Sequence, residues 1–160
     1  RHRYNFEPIV ALVGDSPDDY QRTYQKIYKL SPKAASDYVS LLFMDALLCN
    51  PDRHEYNFGF LSDPMTGDII GLAPNFDNNM ALIARGYPHA SRRRPDFLIK
   101  DFNELLDSGA QWDGYSRRKK LPVIQETMIQ RIVRDTGLKV KGKFIVDFIM
   151  SSYKAIGWGK

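Results

Sequence analysis

Only one cysteine, Cys49, occurs among the 160 residues, so no internal disulfide can form and a cross-linked secreted scaffold is excluded. Histidine is nearly as scarce: His2, His54 and His89 lie too far apart to offer a recognisable zinc spacing. No apolar run approaches the roughly 18 residues that cross a hydrocarbon layer, and the basic start leads into no signal-type apolar core. The chain is therefore expected to work in the cytoplasm, away from membranes. Internal repeats and low-complexity tracts are also missing, which excludes solenoids and compositionally disordered tails.

What is present suits a packed globule. Apolar residues make up 43 %, aromatic residues 12 % and charged residues 26 %, and a chain of this length can bury about 70 % of its unfolded surface. The expectation is a single domain over 1–160. The net charge is +4, a mild excess that permits an anionic partner without demanding one. Between Arg85 and Lys120 stand nine basic and five acidic residues, so that one stretch equals the whole surplus. The chain opens on Arg1 rather than methionine, as expected of a processed or excised piece of a longer protein.

Helix signals dominate. Ser16-Pro17-Asp18-Asp19 supplies an N-cap candidate, a proline for the first helical position and acids for the first turn. Tyr20, Tyr24, Ile27 and Tyr28 then recur at helical spacing until Ser31-Pro32 repeats the start signal. From about 32 to 49, Ala35, Tyr38, Val39, Leu42, Phe43, Ala46 and Cys49 follow the i, i+3, i+4, i+7 pattern. Ile9 to Val13 is an apolar run that periodicity cannot assign. Phe58 to Leu61 and Asp68 to Leu72 read as the strands of a hairpin across Asp63-Pro64-Met65-Thr66-Gly67-Asp68. Residues 85–96 read as a loop. Three further helices are expected at about 97–107, at 122–136 with Ile124, Met128, Ile129, Ile132 and Val133 inward, and at 142–156 with Phe144, Ile145, Phe148, Ile149 and Tyr153 inward. The fold class is mainly α with one small β-hairpin at about 58–72.

Chemistry concentrates around that hairpin. Asp52 and Asn57 lie five apart in the loop that leaves the second helix, and Asp77 follows the return strand, so a hairpin would bring it back beside the loop. Phosphoryl transfer uses such a set: one carboxylate orients or deprotonates the attacking hydroxyl, while an amide and a second carboxylate hold magnesium on the phosphates. The Asp–Asn spacing alone carries nothing, because chance supplies about 0.6 such pairs in this composition. Its context carries the signal: an apolar helix before, an apolar strand after, a turn of suitable length, and a second Asp at the exit.

Asp52-Arg53-His54 with Asn57-Phe58-Gly59, then Leu72-Ala73-Pro74 and Phe76-Asp77-Asn78, resembles the catalytic core of HipA-like serine/threonine kinases over residues 40–80. The resemblance implies a protein-kinase-like C-terminal helical lobe. It implies Asp52 as the catalytic residue, Asn57 and Asp77 as magnesium ligands, and ATP and Mg2+ as cofactors. It further implies a protein substrate and an antitoxin-like DNA-binding protein as a candidate partner. A complete kinase also has an N-terminal lobe with a phosphate-covering loop and a strand lysine. The roughly 50 residues before Asp52 hold neither and read as helix, so that lobe is expected in cis or in trans from elsewhere.

Each residue has a plainer reading. Asp52 can be a solvated turn carboxylate, Asn57 a turn stabiliser and Asp77 a cap. His54 is expected to pin the loop rather than to move protons, Arg53 either neutralises a carboxylate or faces water, and Asp45, inside an apolar helix, needs partners and could support the loop from behind. Ser91 beside Arg92, Arg93 and Arg94 is a candidate regulatory phosphosite. The alternative function is a non-catalytic, pseudokinase-like module that binds protein or nucleic acid through the basic 85–120 region.

Overall fold

The computed structural model describes residues 3–14, 19–81, 96–108 and 117–157. The chain is mainly helical with a small three-stranded antiparallel sheet. It divides into two compact units, Arg1–Met44 with Asp52–Asn79, and Asp45–Pro51 with Met80–Lys160. No helix among the described residues is long and apolar enough to cross a membrane.

The first unit holds the sheet. Strands β1 (Asn5–Pro8), β2 (Gly59–Ser62) and β3 (Ile69–Leu72) lie in that order. The expected hairpin is therefore present as β2 and β3, with Phe60 opposite Leu72 and a bulge at Leu61/Ser62. Its turn is built by Asp63, whose Oδ1 accepts from the backbone N–H groups of Met65 and Thr66 at 2.7 and 3.2 Å, and by Gly67 at φ 77°. Strand β1 was not expected: it comes from the stretch read as helical, and it pairs Asn5 with Ser62 and Pro8 with Gly59. A side chain on Gly59 would run into the Glu7 carbonyl, so the close approach of β1 to β2 requires glycine there. The Ser62 hydroxyl, buried, donates to Glu7 Oε1 at 2.6 Å across the same pair.

The apolar run after β1 forms one short helix, α1 (Val10–Val13). Helix α2 (Tyr20–Leu30) is capped by Asp19, whose Oδ1 accepts from Arg22 N at 2.9 Å. The expected start at Ser16 lies outside the described residues. Tyr24 and Ile27 face inward, whereas Tyr28 is exposed and stacks on Tyr24 at 5.9 Å. Helix α3 (Pro32–Leu48) starts under Ser31, whose Oγ accepts from Ala34 N at 3.2 Å. Every apolar position expected inward on it is buried: Ala35, Tyr38, Val39, Leu42, Phe43 and Ala46, and Cys49 just beyond its end. Tyr38 stacks on Phe58, just ahead of β2, with ring centroids 5.4 Å apart.

The second unit contains α4 (Asp96–Asp107), a 3-10 turn at Arg117–Lys120, α5 (Glu126–Asp135) and α6 (Gly142–Ala155). Leu98, Phe102, Leu105 and Leu106 bury one face of α4. Phe148 and Tyr153 of α6 are buried as expected, while Phe144, Ile145 and Ile149 are half-buried. Helix α5 differs from expectation twice. It begins at Glu126 rather than 122, because Gln125 is extended (φ −107°, ψ 138°) and Pro122 precedes it. Of the five residues expected inward only Ile129 is buried; Met128 is 41 % and Ile132 51 % exposed.

Candidate phosphotransfer site

Helix α3 ends in a buried polar turn. Cys49 adopts a left-handed φ of 55°, and Asn50 donates through N to the Asp45 carbonyl at 2.9 Å and through Nδ2 to Asp45 Oδ1 at 3.0 Å. Asp45 and Asn50 are both buried, so the carboxylate inside the apolar helix has the partner it needed. It fixes the turn that ends two residues before Asp52 in sequence.

The loop that follows is closed by the Asn57 amide. Its Nδ2 donates to the Asp52 carbonyl at 2.5 Å, its Oδ1 accepts from His54 N at 3.1 Å, and its backbone N donates to the His54 carbonyl at 3.1 Å. Asn57 is only 2 % exposed. His54 Nδ1 accepts from Tyr56 N at 3.3 Å, which agrees with a loop-pinning histidine. The loop also docks on the start of α1, where Val10 N donates to the Glu55 carbonyl and Ile9 N to the Phe58 carbonyl.

Arg53 joins this loop to the segment after the hairpin. Its Nη1 donates to the Asn57 carbonyl at 3.0 Å and the Phe76 carbonyl at 2.9 Å, and its Nη2 to Asn75 Oδ1 at 2.8 Å and Asn78 Oδ1 at 2.9 Å. Because two carbonyls share one nitrogen, the backbones at Asn57 and Phe76 stand within about 6 Å of each other. Arg53 is 8 % exposed; it neither faces water nor is spent on a single carboxylate. A planar five-donor cation suits such convergent oxygens, which replace its hydration.

Asp77 sits between two residues held by that guanidinium. It adopts φ 55°, a left-handed conformation that costs a non-glycine residue energy, although Asp tolerates it better than most. It is exposed, and no hydrogen bond or ion pair to its carboxylate is found among the described residues. Asp52 is half-buried. Phe76 itself packs edge-on against Phe6 of β1 with ring centroids 5.6 Å apart, so three elements of the first unit converge beside Asp77. Sequence reasoning missed Phe6, Asn75 and Asn78; the only signal was the unusual density of asparagine in Asn75-Phe76-Asp77-Asn78-Asn79.

These groups form a hard-oxygen set: two carboxylates and one amide oxygen in neighbouring loops. No three of His, Cys, Asp and Glu cluster as a metal centre among the described residues. Its Oδ1 has two lone pairs, one taken by His54 N and the other facing Arg53 Nη1 at a long 3.5 Å. In type, two carboxylates and an amide oxygen are the donors that hard divalent cations take.

The basic residues of the alternative reading are placed only in part. Arg117 is buried and donates to the Leu105 carbonyl at 2.6 Å and to Ser108 Oγ at 3.2 Å, closing the end of α4. Arg118 pairs with Asp107 at 2.8 Å. Both serve their own unit's structure. Ser91 and Arg92 to Arg94 lie outside the described residues. No family model, curated protein or solved structure matches the chain.

Proposed function

We propose that this chain is the C-terminal lobe of a HipA-like protein kinase that transfers the terminal phosphoryl group of ATP to a serine or threonine hydroxyl of a protein. The observation that carries the reading is Arg53: one guanidinium holds the Asp52–Asn57 loop against the segment bearing Asp77. Phosphoryl transfer is catalysed chiefly by positioning and charge neutralisation, and a rigid tie between two ligand-bearing loops serves both.

Asp52 orients the acceptor hydroxyl and takes its proton. Asn57 Oδ1 and the Asp77 carboxylate would hold magnesium, which when bound would supply charge neutralisation for the phosphates. Asp77 is suited to this because its carboxylate is exposed and uncommitted, while Arg53 holds the Phe76 carbonyl before it and the Asn78 side chain after it. The nucleotide needs a second wall, an N-terminal lobe in cis or trans, and the supply of ATP places the work in the cytoplasm. An antitoxin-like DNA-binding protein is the regulatory partner this reading suggests.

The test uses the complete kinase, with both lobes, and labelled ATP. Asp52→Ala and Asp77→Ala are each expected to lower phosphoryl transfer by about 10³-fold or more, with the circular-dichroism spectrum unchanged and the unfolding free energy lowered by no more than about 1 kcal/mol. Transfer that survives both substitutions overturns the assignment.

A further inference from the structure

Helices α5 and α6 leave a groove of about 420 Å³ between them, at the small end of the range for ligand pockets. Glu126, Gln130 and Arg134 form its α5 lip at successive helical turns, and Lys143 and Asp147, one turn apart, form its α6 lip. Between the lips the lining is apolar, with Val133 half-buried and Val146 buried. The helices approach closely where the groove meets the start of α6: a side chain on Gly142 would meet Val133 Cγ1 at 3.1 Å.

Charges are sorted by sign along the groove. Arg134 follows Val133 and Lys143 follows Gly142, so both cations stand at the end where the helices approach, while Glu126 and Asp147 stand further along their helices. No ion pair crosses the groove among the described residues. Arg134 pairs with its neighbour Asp135 at 3.3 Å, an exposed contact of little strength, and Glu126 accepts one hydrogen bond from Gln130 Nε2 at 2.8 Å. Lys143 and Asp147, both exposed, have neither a hydrogen bond nor an ion pair among the described residues. Like charges on opposite lips repel until an occupant with the reverse layout neutralises them.

That layout selects the occupant. A polyanion would meet Glu126 and Asp147, and a polycation would meet Arg134 and Lys143. A dipolar molecule satisfies both ends. Glu126 and Arg134 are eight residues apart on one helix, about 12 Å along its axis, and three extended residues span about 10–11 Å. We propose that the groove between α5 and α6 binds a free tripeptide with an apolar central side chain, its carboxylate at Arg134 and Lys143, its ammonium at Glu126 and Asp147, and its side chain over Val133 and Val146. This goes beyond the kinase reading and does not depend on it, since every residue involved belongs to the second unit.

The test titrates the full chain with Ala-Val-Ala and follows the Val133 and Val146 methyl resonances. N-acetylated and C-amidated forms are run beside it, as is a longer peptide capped at both ends with lysine and glutamate inside. The free tripeptide is expected to shift both methyl signals, and each cap to weaken binding about tenfold or more. Lys143→Glu and Asp147→Lys are each expected to do the same, with the circular-dichroism spectrum unchanged; should either lose helical signal, Arg134→Gln takes its place. The proposal is overturned by no binding of the tripeptide, by capped forms that bind equally well, by charge variants that bind as the parent does, or by the longer capped peptide binding where the tripeptide does not.

Discussion

Two regions of this chain invert the usual rule of burial in opposite directions. Between residues 52 and 78 polar side chains are buried and tied together: Arg53 and Asn57 are withdrawn from water and satisfy carbonyls and amides from loops more than twenty residues apart. Between residues 123 and 138 apolar side chains are left in water, and one buried anchor, Ile129, secures α5. A buried polar network costs desolvation and tolerates one geometry, which suits positioning reacting groups. Partly exposed apolar side chains at the edge of a helix's buried stripe make no such demand on geometry. The first arrangement suits the phosphoryl transfer proposed above.

The largest expected effect comes from breaking the polar network. Arg53→Ala would leave the Phe76 carbonyl and the Asn75 and Asn78 amides without the cation that holds them, so unfolding free energy should fall by about 3–5 kcal/mol. Urea titration of the full chain reads this directly. A loss below about 1 kcal/mol would mean that the network is surface ornament and would remove the contrast between the regions. On α5 the contrast is within one helix. Ile129→Ala should cost about 2–4 kcal/mol, whereas Ile132→Ala, three residues on, should stay within about 0.5 kcal/mol. Equal losses would show that Ile132 is covered as fully as Ile129.

How much of this was legible without coordinates depends on where the determining partner lies. Helix α3 was legible because its apolar pattern is long and its Ser31-Pro32 start is local chemistry. The hairpin was legible because Pro64 and Gly67 sit where a reversal needs them. Strand β1 was not, since Asn5 to Pro8 is too short a stretch to read as a strand and owes its conformation to Gly59 and Ser62, more than fifty residues away. For α5 the spacing told which residues align but not whether anything packs on them; periodicity fixes a face, and only tertiary contact decides which way it looks. At the candidate site, the return of Asp77 toward Asn57 followed from hairpin arithmetic. The role of Arg53 did not, because it arises from oxygens that converge only once the hairpin has closed.

The smallest effect separates a residue kept for function from one kept for stability. Asp77 holds φ 55° with no partner for its carboxylate among the described residues, so its side chain offers the fold nothing that offsets the backbone strain. Glycine relieves that strain but adds unfolded-state entropy, and the two nearly cancel. Asp77→Gly should therefore leave stability unchanged or raise it by up to about 1 kcal/mol, while Asp77→Ala, which keeps a Cβ and loses the short polar group that tolerates this conformation, should lower it by about 0.5–1 kcal/mol. Differential scanning calorimetry of the two variants reads the difference. If Asp77→Gly destabilised the chain by more than about 1 kcal/mol, the carboxylate would be bracing the loop, and the strain at 77 would no longer point to a ligand-bearing role.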